Sequence, residues 1–397
     1  MRNVVALSLL AFSAAAVAQQ KPPIAQYWMS VETNAPMSIP GMPVGMMGGQ
    51  GQDGRSIRLD LGSQRSADGP NAAHEIPSGM NMGPSLPLAT PQTTRRDPVR
   101  EREYNERENM PKGRWLIYWG CGEATRPGQP VVVDMANFAQ GRLPTGFATR
   151  LNSGVSGVPP NGRTNGHWPN SLERQPKPVP DNASLLGDHT IRGNYTPDIR
   201  FTLGQGHDFM ERVALTTASL PAGGASVRWN SVSTATGYSA MTFGSDNNDV
   251  VVWSSSDVQT WAMELRDYIA PGDVARLIRE KVLLSPQTTE CAVPADVVKK
   301  SGGSPMLNFV AYGPEANFGF PARPKDPEWY AKVRFKSTAS AMLGMAAERG
   351  GRRPQRAEQG RAPAEDQSAQ QPAAPAVPSG VDAVKEGVNI LRGIFGR

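Results

Sequence analysis

"VRWNSVSTATGYSAMTFG" (227–244) places two large aromatics, Trp229 and Tyr238, on either side of a run of small residues. Apolar and polar positions alternate before the run (Val227, Trp229) and after it (Tyr238, Ala240), the period of two strands half-buried against a core. The turn between them, "STATG" (233–237), lies in a small-residue stretch lined by Val232 and Ala235. A Trp leaving one strand and a Tyr entering the next bury large areas in fixed geometry, so together they can close one sandwich core. The stretch predicts a β fold around it.

Neighbouring segments fit that expectation. "RVALTTASL" (212–220), "TTECAVPADVV" (288–298), "MLNFVAYG" (306–313) and "WYAKVRFKST" (329–338) read as strands. They place Cys291 and Val293, then Leu307, Phe309 and Ala311, then Ala331, Val333 and Phe335, each on one inward face. Residues 257–284 break the pattern with helical spacing. Asp257 is the expected N-cap for Val258, Trp261, Ala262, Leu265 and Ile269. Pro271 and Gly272 interrupt, and Asp273 is expected to cap a second stripe of Val274, Leu277, Ile278 and Val282.

The spacing Trp229-x-x-Val232-x-x-Ala235-x-x-Tyr238 resembles the B–C region of fibronectin type III domains. The resemblance implies an antiparallel sandwich over 206–340, with 288–298, 306–313 and 329–338 in the E, F and G positions. The chain departs from the family at Pro305, where many members carry a core tyrosine, and in the helical insertion 257–284. Such a likeness implies a fold and no activity.

Toward the N-terminus, "IAQYWMSVET" (24–33) and "RSIRLDLG" (55–62) alternate as strands. "GRWLIYWGCGE" (113–123) and "QPVVVDMANF" (129–138) read as a strand pair across a Pro127-Gly128 turn. In the first, Trp115, Ile117, Trp119 and Cys121 are expected on one face and Leu116 and Tyr118 on the other, the mark of a central strand. Runs at 184–192 and 198–204 complete an irregular β-rich domain over 19–205, whose stretches 67–113 and 140–183 read as low-order or loop.

The whole chain has 397 residues, with 41 Gly, 36 Pro and a net charge of +5. So much Gly and Pro requires extensive loop. The mild, scattered positive excess gives no basic stripe, so no nucleic-acid partner is expected. "MRNVVALSLLAFSAAAVA" (1–18) reads as a signal peptide, with Arg2, an apolar core and a small-x-small end at Ala16–Ala18. A soluble, periplasmic protein is expected, and the chain resembles exported proteins of Gram-negative bacteria. Its two cysteines, Cys121 and Cys291, are a candidate disulfide in that compartment, and two separate buried thiols is the other reading.

The C-terminal end changes character. Residues 341–380, rich in Arg, Gln, Ala and Pro, read as a disordered linker. Residues 381–397 form an amphipathic pattern, with Val381, Val384, Val388, Leu391 and Phe395 on one stripe. They are the candidate docking surface for a protein partner in the envelope, preferred over a membrane surface because basic and acidic groups nearly balance.

No catalytic spacing, phosphate loop or cofactor motif is present in the sequence. His74, His167, His189 and His207 read as surface residues in polar loops, with His189 and His207 the pair able to meet across paired strands beside Asp188 and Asp208. Met37, Met42, Met46 and Met47, with Met80 and Met82 downstream, are candidate soft ligands for copper. Trp28, Trp168, Trp253, Trp261 and Trp329 are candidates for a glycan-stacking surface. The expectation is a non-enzymatic exported protein that binds or scaffolds. A glycan-binding or glycan-modifying enzyme and a Met-rich copper-handling protein are the alternatives.

Overall fold

The computed structural model describes residues 22–38, 54–91, 113–138, 140, 142, 144, 157–170, 177–260, 262–321 and 327–344. The segments expected as a signal peptide (1–18) and a docking helix (381–397), most of the expected linker, Met42, Met46, Met47 and Trp261 lie outside the described residues. Among the described residues, no helix is long and apolar enough to cross a membrane.

The fold is mainly β and is organised around one nine-stranded sheet. Its spatial order runs β6 (Val131–Asp134), β5 (Arg114–Trp119), β13 (Asp249–Ser254), β12 (Gly237–Asp246), β15 (Met306–Phe320), β16 (Trp329–Met342), β1 (Ala25–Asn34), β2 (Gly54–Ser63) and β7 (Thr164–Trp168). Two pairings in it are parallel, β5 with β13 and β1 with β16. A four-stranded sheet follows the order β4 (Ser85–Pro87), β3 (Ala72–Glu75), β8 (Gly187–Gly193) and β9 (Ile199–Leu203). A three-stranded sheet follows the order β10 (Leu215–Ser219), β11 (Ala225–Trp229) and β14 (Glu290–Val293).

Period-two alternation divides the large sheet into two buried faces. One face carries Tyr27, Met29, Leu59, Leu61, Tyr238, Phe309, Val333 and Phe335 into a core completed by both small sheets. The opposite face carries Trp115, Ile117, Val252, Val310 and Tyr312 into a second core. That second core is covered by α1 (Met135–Phe138), a 3-10 turn (Ala262–Arg266) and α2 (Pro271–Arg279). Each large side chain so buried contributes about 1.5–3 kcal/mol of transfer free energy.

Strand β5 shows why its sequence is apolar on both sides. Trp115 and Ile117 enter the second core, while Leu116 and Tyr118 enter the first. Cys121, expected beside Trp119, instead packs against the first core. The strand has ended by then, and Gly120 takes a φ of +96°, a left-handed turn that re-aims the next residues. Cys121 and Cys291 are joined in a disulfide with a Cα–Cα separation of 5.2 Å, tying the end of β5 to β14 in the three-stranded sheet.

Other expectations are corrected. A domain boundary at 205/206 does not divide the sheets, because β1, β2, β5, β6 and β7 from the first half hydrogen-bond into one sheet with four strands from the second. The reason is that β13 and β16 leave edges that β5 and β1 satisfy. Residues read as low-order hold β3 and β4 (within 67–113) and β7 (within 140–183), all short and poor in β-branched residues. Two segments read as strands throughout turn helical part-way. After β6, the Asp134 side chain accepts from the Asn137 amide at 2.9 Å and caps α1. After β14, Pro294 stands at the N-cap of α3 (Ala295–Lys300).

The 257–284 segment also differs in detail. Asp257 is exposed and pairs with Arg126 instead of capping a helix. Ahead of Pro271, Ala270 is extended (φ −61°, ψ 141°), as a residue before proline prefers. Pro271 does not interrupt a helix but begins one, at a position where its missing N–H costs nothing.

Trp229 and Tyr238 do share a core, from different sheets. Their rings meet edge-on at 5.7 Å, and Phe309 lies 4.7 Å from Trp229. The Tyr238 hydroxyl accepts from the Val232 amide at 3.1 Å, fixing the turn between the strands. Trp229→Ala is expected to cost about 3–5 kcal/mol, the usual penalty for emptying a large aromatic site. Urea denaturation checks this, and a loss under about 1 kcal/mol would contradict the packing.

Reducing the disulfide is expected to lower the melting temperature while strand content persists. A closed loop of 170 residues sets the ceiling at about 5 kcal/mol in the chain-entropy account. Circular dichroism with and without reductant checks it, and an unchanged melting curve would contradict a bridging role.

Candidate functional site

Strand β1 presents a polar constellation on each of its faces. On the inner face, Tyr27 meets two histidines from the four-stranded sheet. The Tyr27 hydroxyl lies 2.9 Å from His74 Nδ1, His74 Nε2 lies 2.9 Å from His189 Nδ1, and His189 Nε2 lies 2.8 Å from the Leu185 carbonyl. A carbonyl only accepts, so His189 carries its proton on Nε2 and accepts at Nδ1. His74 must then donate from Nε2 and accept at Nδ1 from the Tyr27 hydroxyl. Every donor in this chain points the same way.

Packing holds the chain rigid. All three side chains are fully buried. Phe201 stacks on His189 at 5.0 Å, and Tyr27 meets His74 edge-on at 5.5 Å. Burial, reinforced by His189, holds His74 well below the usual imidazole range. Burial also lowers His189, against the opposing effects of the Leu185 carbonyl and Asp188. Burial pushes the Tyr27 phenol well above its ordinary value, with the Asp60 charge adding to it. The whole chain is neutral at neutral pH.

This overturns the reading of His74 and His189 as surface loop residues. His189 bonds His74 and not His207, which lies 6.0 Å from the Phe335 ring. A signal was present in the sequence: His74 alternates with Ala72 and Ile76, and His189 with Ile191, all on a buried face. The segments were too short for that alternation to stand out.

On the outer face, cross-strand register builds a second cluster. Trp28 pairs with Asp60 on one side and Lys332 on the other, and Asp60 pairs with His167. The nearly buried Asp60 carboxylate accepts from Arg58 Nε and from His167 Nδ1, both at 2.9 Å. Burial raises the Asp60 carboxyl, but the His167 and Arg58 hydrogen bonds and charges outweigh it and hold the group below its ordinary value. His167 is also fixed by its backbone, exchanging two 2.9 Å bonds with Ala89. The Asp60 carboxylate only accepts, so His167 donates to it from Nδ1, and the imidazole as a whole is half-exposed.

Beside this dyad stands a ladder of cations and rings. The Arg334 guanidinium lies 4.6 Å from the Trp28 ring centre and 4.5 Å from that of Tyr268, and its Nε donates to Ser30 at 2.8 Å. Lys336 donates to the Arg266 carbonyl at 3.1 Å and faces Glu32 at 3.5 Å, and Lys332 pairs with Glu315 at 3.2 Å. Such cation–ring contacts contribute about 0.5–2 kcal/mol each as they lose water. Burial pushes the Tyr268 phenol well up, helped by Glu32.

The sequence-predicted site residues are not brought together here. Met37 stands exposed, while Met80 and Met82 are buried in the first core and present no thioether to solvent. Among the described residues, no group of three or more His, Cys, Asp or Glu side chains converges to hold a metal. Trp168, Trp253 and Trp329 are core residues, and among the described glycan candidates only Trp28 is half-exposed. In comparisons with protein-family models, curated proteins and solved structures, nothing matches the chain.

Asp60→Asn is expected to cost about 1–3 kcal/mol, since it leaves His167 and Arg58 without their shared anion. Half-exposure of Arg58 keeps the figure below that of a fully buried pair. Because the folded carboxyl is lowered, its stabilisation is present above about pH 4 and is lost as pH falls through the folded value. Urea titrations of both proteins should thus converge on acidification, and a gap that widens below pH 4 would contradict the assignment.

Proposed function

We propose that this chain is a non-enzymatic exported envelope protein that acts by binding or scaffolding. One observation carries the reading: both polar constellations close on themselves. The inner chain ends on a backbone carbonyl, and on the outer face Arg58, Lys332 and Lys336 pair with Asp60, Glu315 and Glu32. Groups so tied make a stiff sheet with a fixed surface, the property a display scaffold needs.

A fibronectin type III-like module within 206–340 is part of this proposal. Strands β10, β11 and β14 lie against β12, β13, β15 and β16 through the Trp229–Tyr238–Phe309 core, which supports the A-B-E and C′-C-F-G arrangement of that family. Export to the periplasm is supported by the Cys121–Cys291 disulfide, which persists in an oxidising compartment. The partner in this proposal is an envelope protein that takes the apolar stripe of 381–397, tethered by the linker. Envelope pull-down with the full chain and with Leu391→Asp/Phe395→Asp tests it. A partner recovered only by the full chain, at equal melting temperatures, is the expected result, and equal recovery by both would overturn the docking role.

A second reading rests on the Asp60–His167 dyad, whose half-exposed imidazole suits a general base. Glycan cleavage by the wild type that His167→Ala abolishes would favour this enzyme reading over the scaffold.

A further inference from the structure

The Tyr27–His74–His189 chain has no place for another proton. A proton on His189 Nδ1 would face the Nε2–H of His74 across 2.9 Å. One on His74 Nδ1 would face the Tyr27 hydroxyl across 2.9 Å and displace its hydrogen in a wholly buried site. Two donors opposed in a dry interior lose a hydrogen bond and bury an uncompensated charge.

Among the surrounding carboxylates only Asp188 favours a proton on His189, and burial outweighs it. From β1 comes only the Tyr27 phenol. On β2, Asp60 lies on the opposite sheet face with both oxygens engaged by Arg58 and His167. Glu75 of β3 is exposed and pairs with Arg192 of β8. Asp188 is exposed and accepts from Thr202. From β9 comes the uncharged Phe201. Asp208 is taken by the Ser184 hydroxyl and the Leu185 amide.

The two small sheets are fastened differently. The three-stranded sheet is tied to β5 by the disulfide through Cys291 on β14. The chain has two cysteines only, so the four-stranded sheet has no such tie. Its hold on the large sheet is face packing, the histidine chain, the Ala89–His167 and Arg55–Val179 bridges, and hydrogen bonds from Ser63 and Arg55 of β2 to the Tyr195 and Ala183 carbonyls.

We propose that His74 and His189 form an acid-sensitive joint, whose protonation releases the four-stranded sheet from the nine-stranded sheet and bares its apolar inner face. The sign follows from linkage. Both imidazoles are held below their ordinary value when closed, so the open form binds protons that the closed form excludes. Closure keeps its full advantage above about pH 6.5 and loses it progressively below.

Hydrogen exchange on the full oxidised chain tests the proposal, with rates corrected for the intrinsic effect of pH. Opening within 72–75 and 187–203 should stay nearly constant from pH 7.5 to about 6.5 and then rise toward pH 5, approaching tenfold per pH unit for one proton taken up and more steeply for two. Protection within 237–254 and 306–320 should hold. Uniform loss of protection over all segments, or no change at 187–203, would overturn the joint. His74→Gln, where it folds at pH 7.5, should flatten the pH response, and an undiminished response would also overturn it. If that variant does not fold, the wild-type exchange pattern decides alone.

Discussion

Register pairs from Ala25–Trp329 to Asn34–Thr338 bind the first of the described strands, in parallel, to the last of them. The rest of the structure leans on that pairing. It gives β16 a second neighbour, positions β2 and β7 beyond β1, and so extends the sheet over which the four-stranded layer lies. It also sets the two faces of β1 at once, Tyr27 toward the histidines and Trp28 toward the cations. Because a strand's side chains alternate strictly, a slip of one residue would exchange the two environments. It would send a tryptophan into a space shaped for a hydrogen-bonded phenol.

Much of the fold was legible where strands are long and regular. Trp229, Tyr238, Phe309 and Val333 announced their faces by alternation, and the double-sided apolar pattern of β5 announced a central strand. The parallel pairings were not legible, because nothing local in 24–33 or 329–338 encodes a partner some three hundred residues away. Short strands such as "AAHE" (72–75) were hidden for a different reason: four residues without a β-branched side chain carry almost no periodic signal. The polar clusters were lost with them. His74 and His167 looked solitary in sequence and His189 was matched with His207 instead, so the true partners emerged only when β3 met β8 and β2 met β7.

The proposed binding role and the acid-sensitive joint draw on the same property of the sheet. On its outer face Arg58, Lys332 and Lys336 are paired with carboxylates, so added salt acts there through ordinary screening. Its inner face holds a neutral chain with one allowed direction of proton donation, so the addition of a proton is costly there. A rigid display surface and a conditionally attached layer are compatible because different edges and faces of the same strands serve them.

The central claim is that strands from both halves of the chain make one sheet, with β1 as an interior member. Residue-resolved hydrogen exchange at pH 7.5 on the full chain tests it most directly. Amides of 25–34 should exchange as slowly as those of 306–320 and 329–342, opening only with global unfolding. Rapid exchange across 25–34 while 306–342 stayed protected would contradict it, and would return the two halves to separate domains.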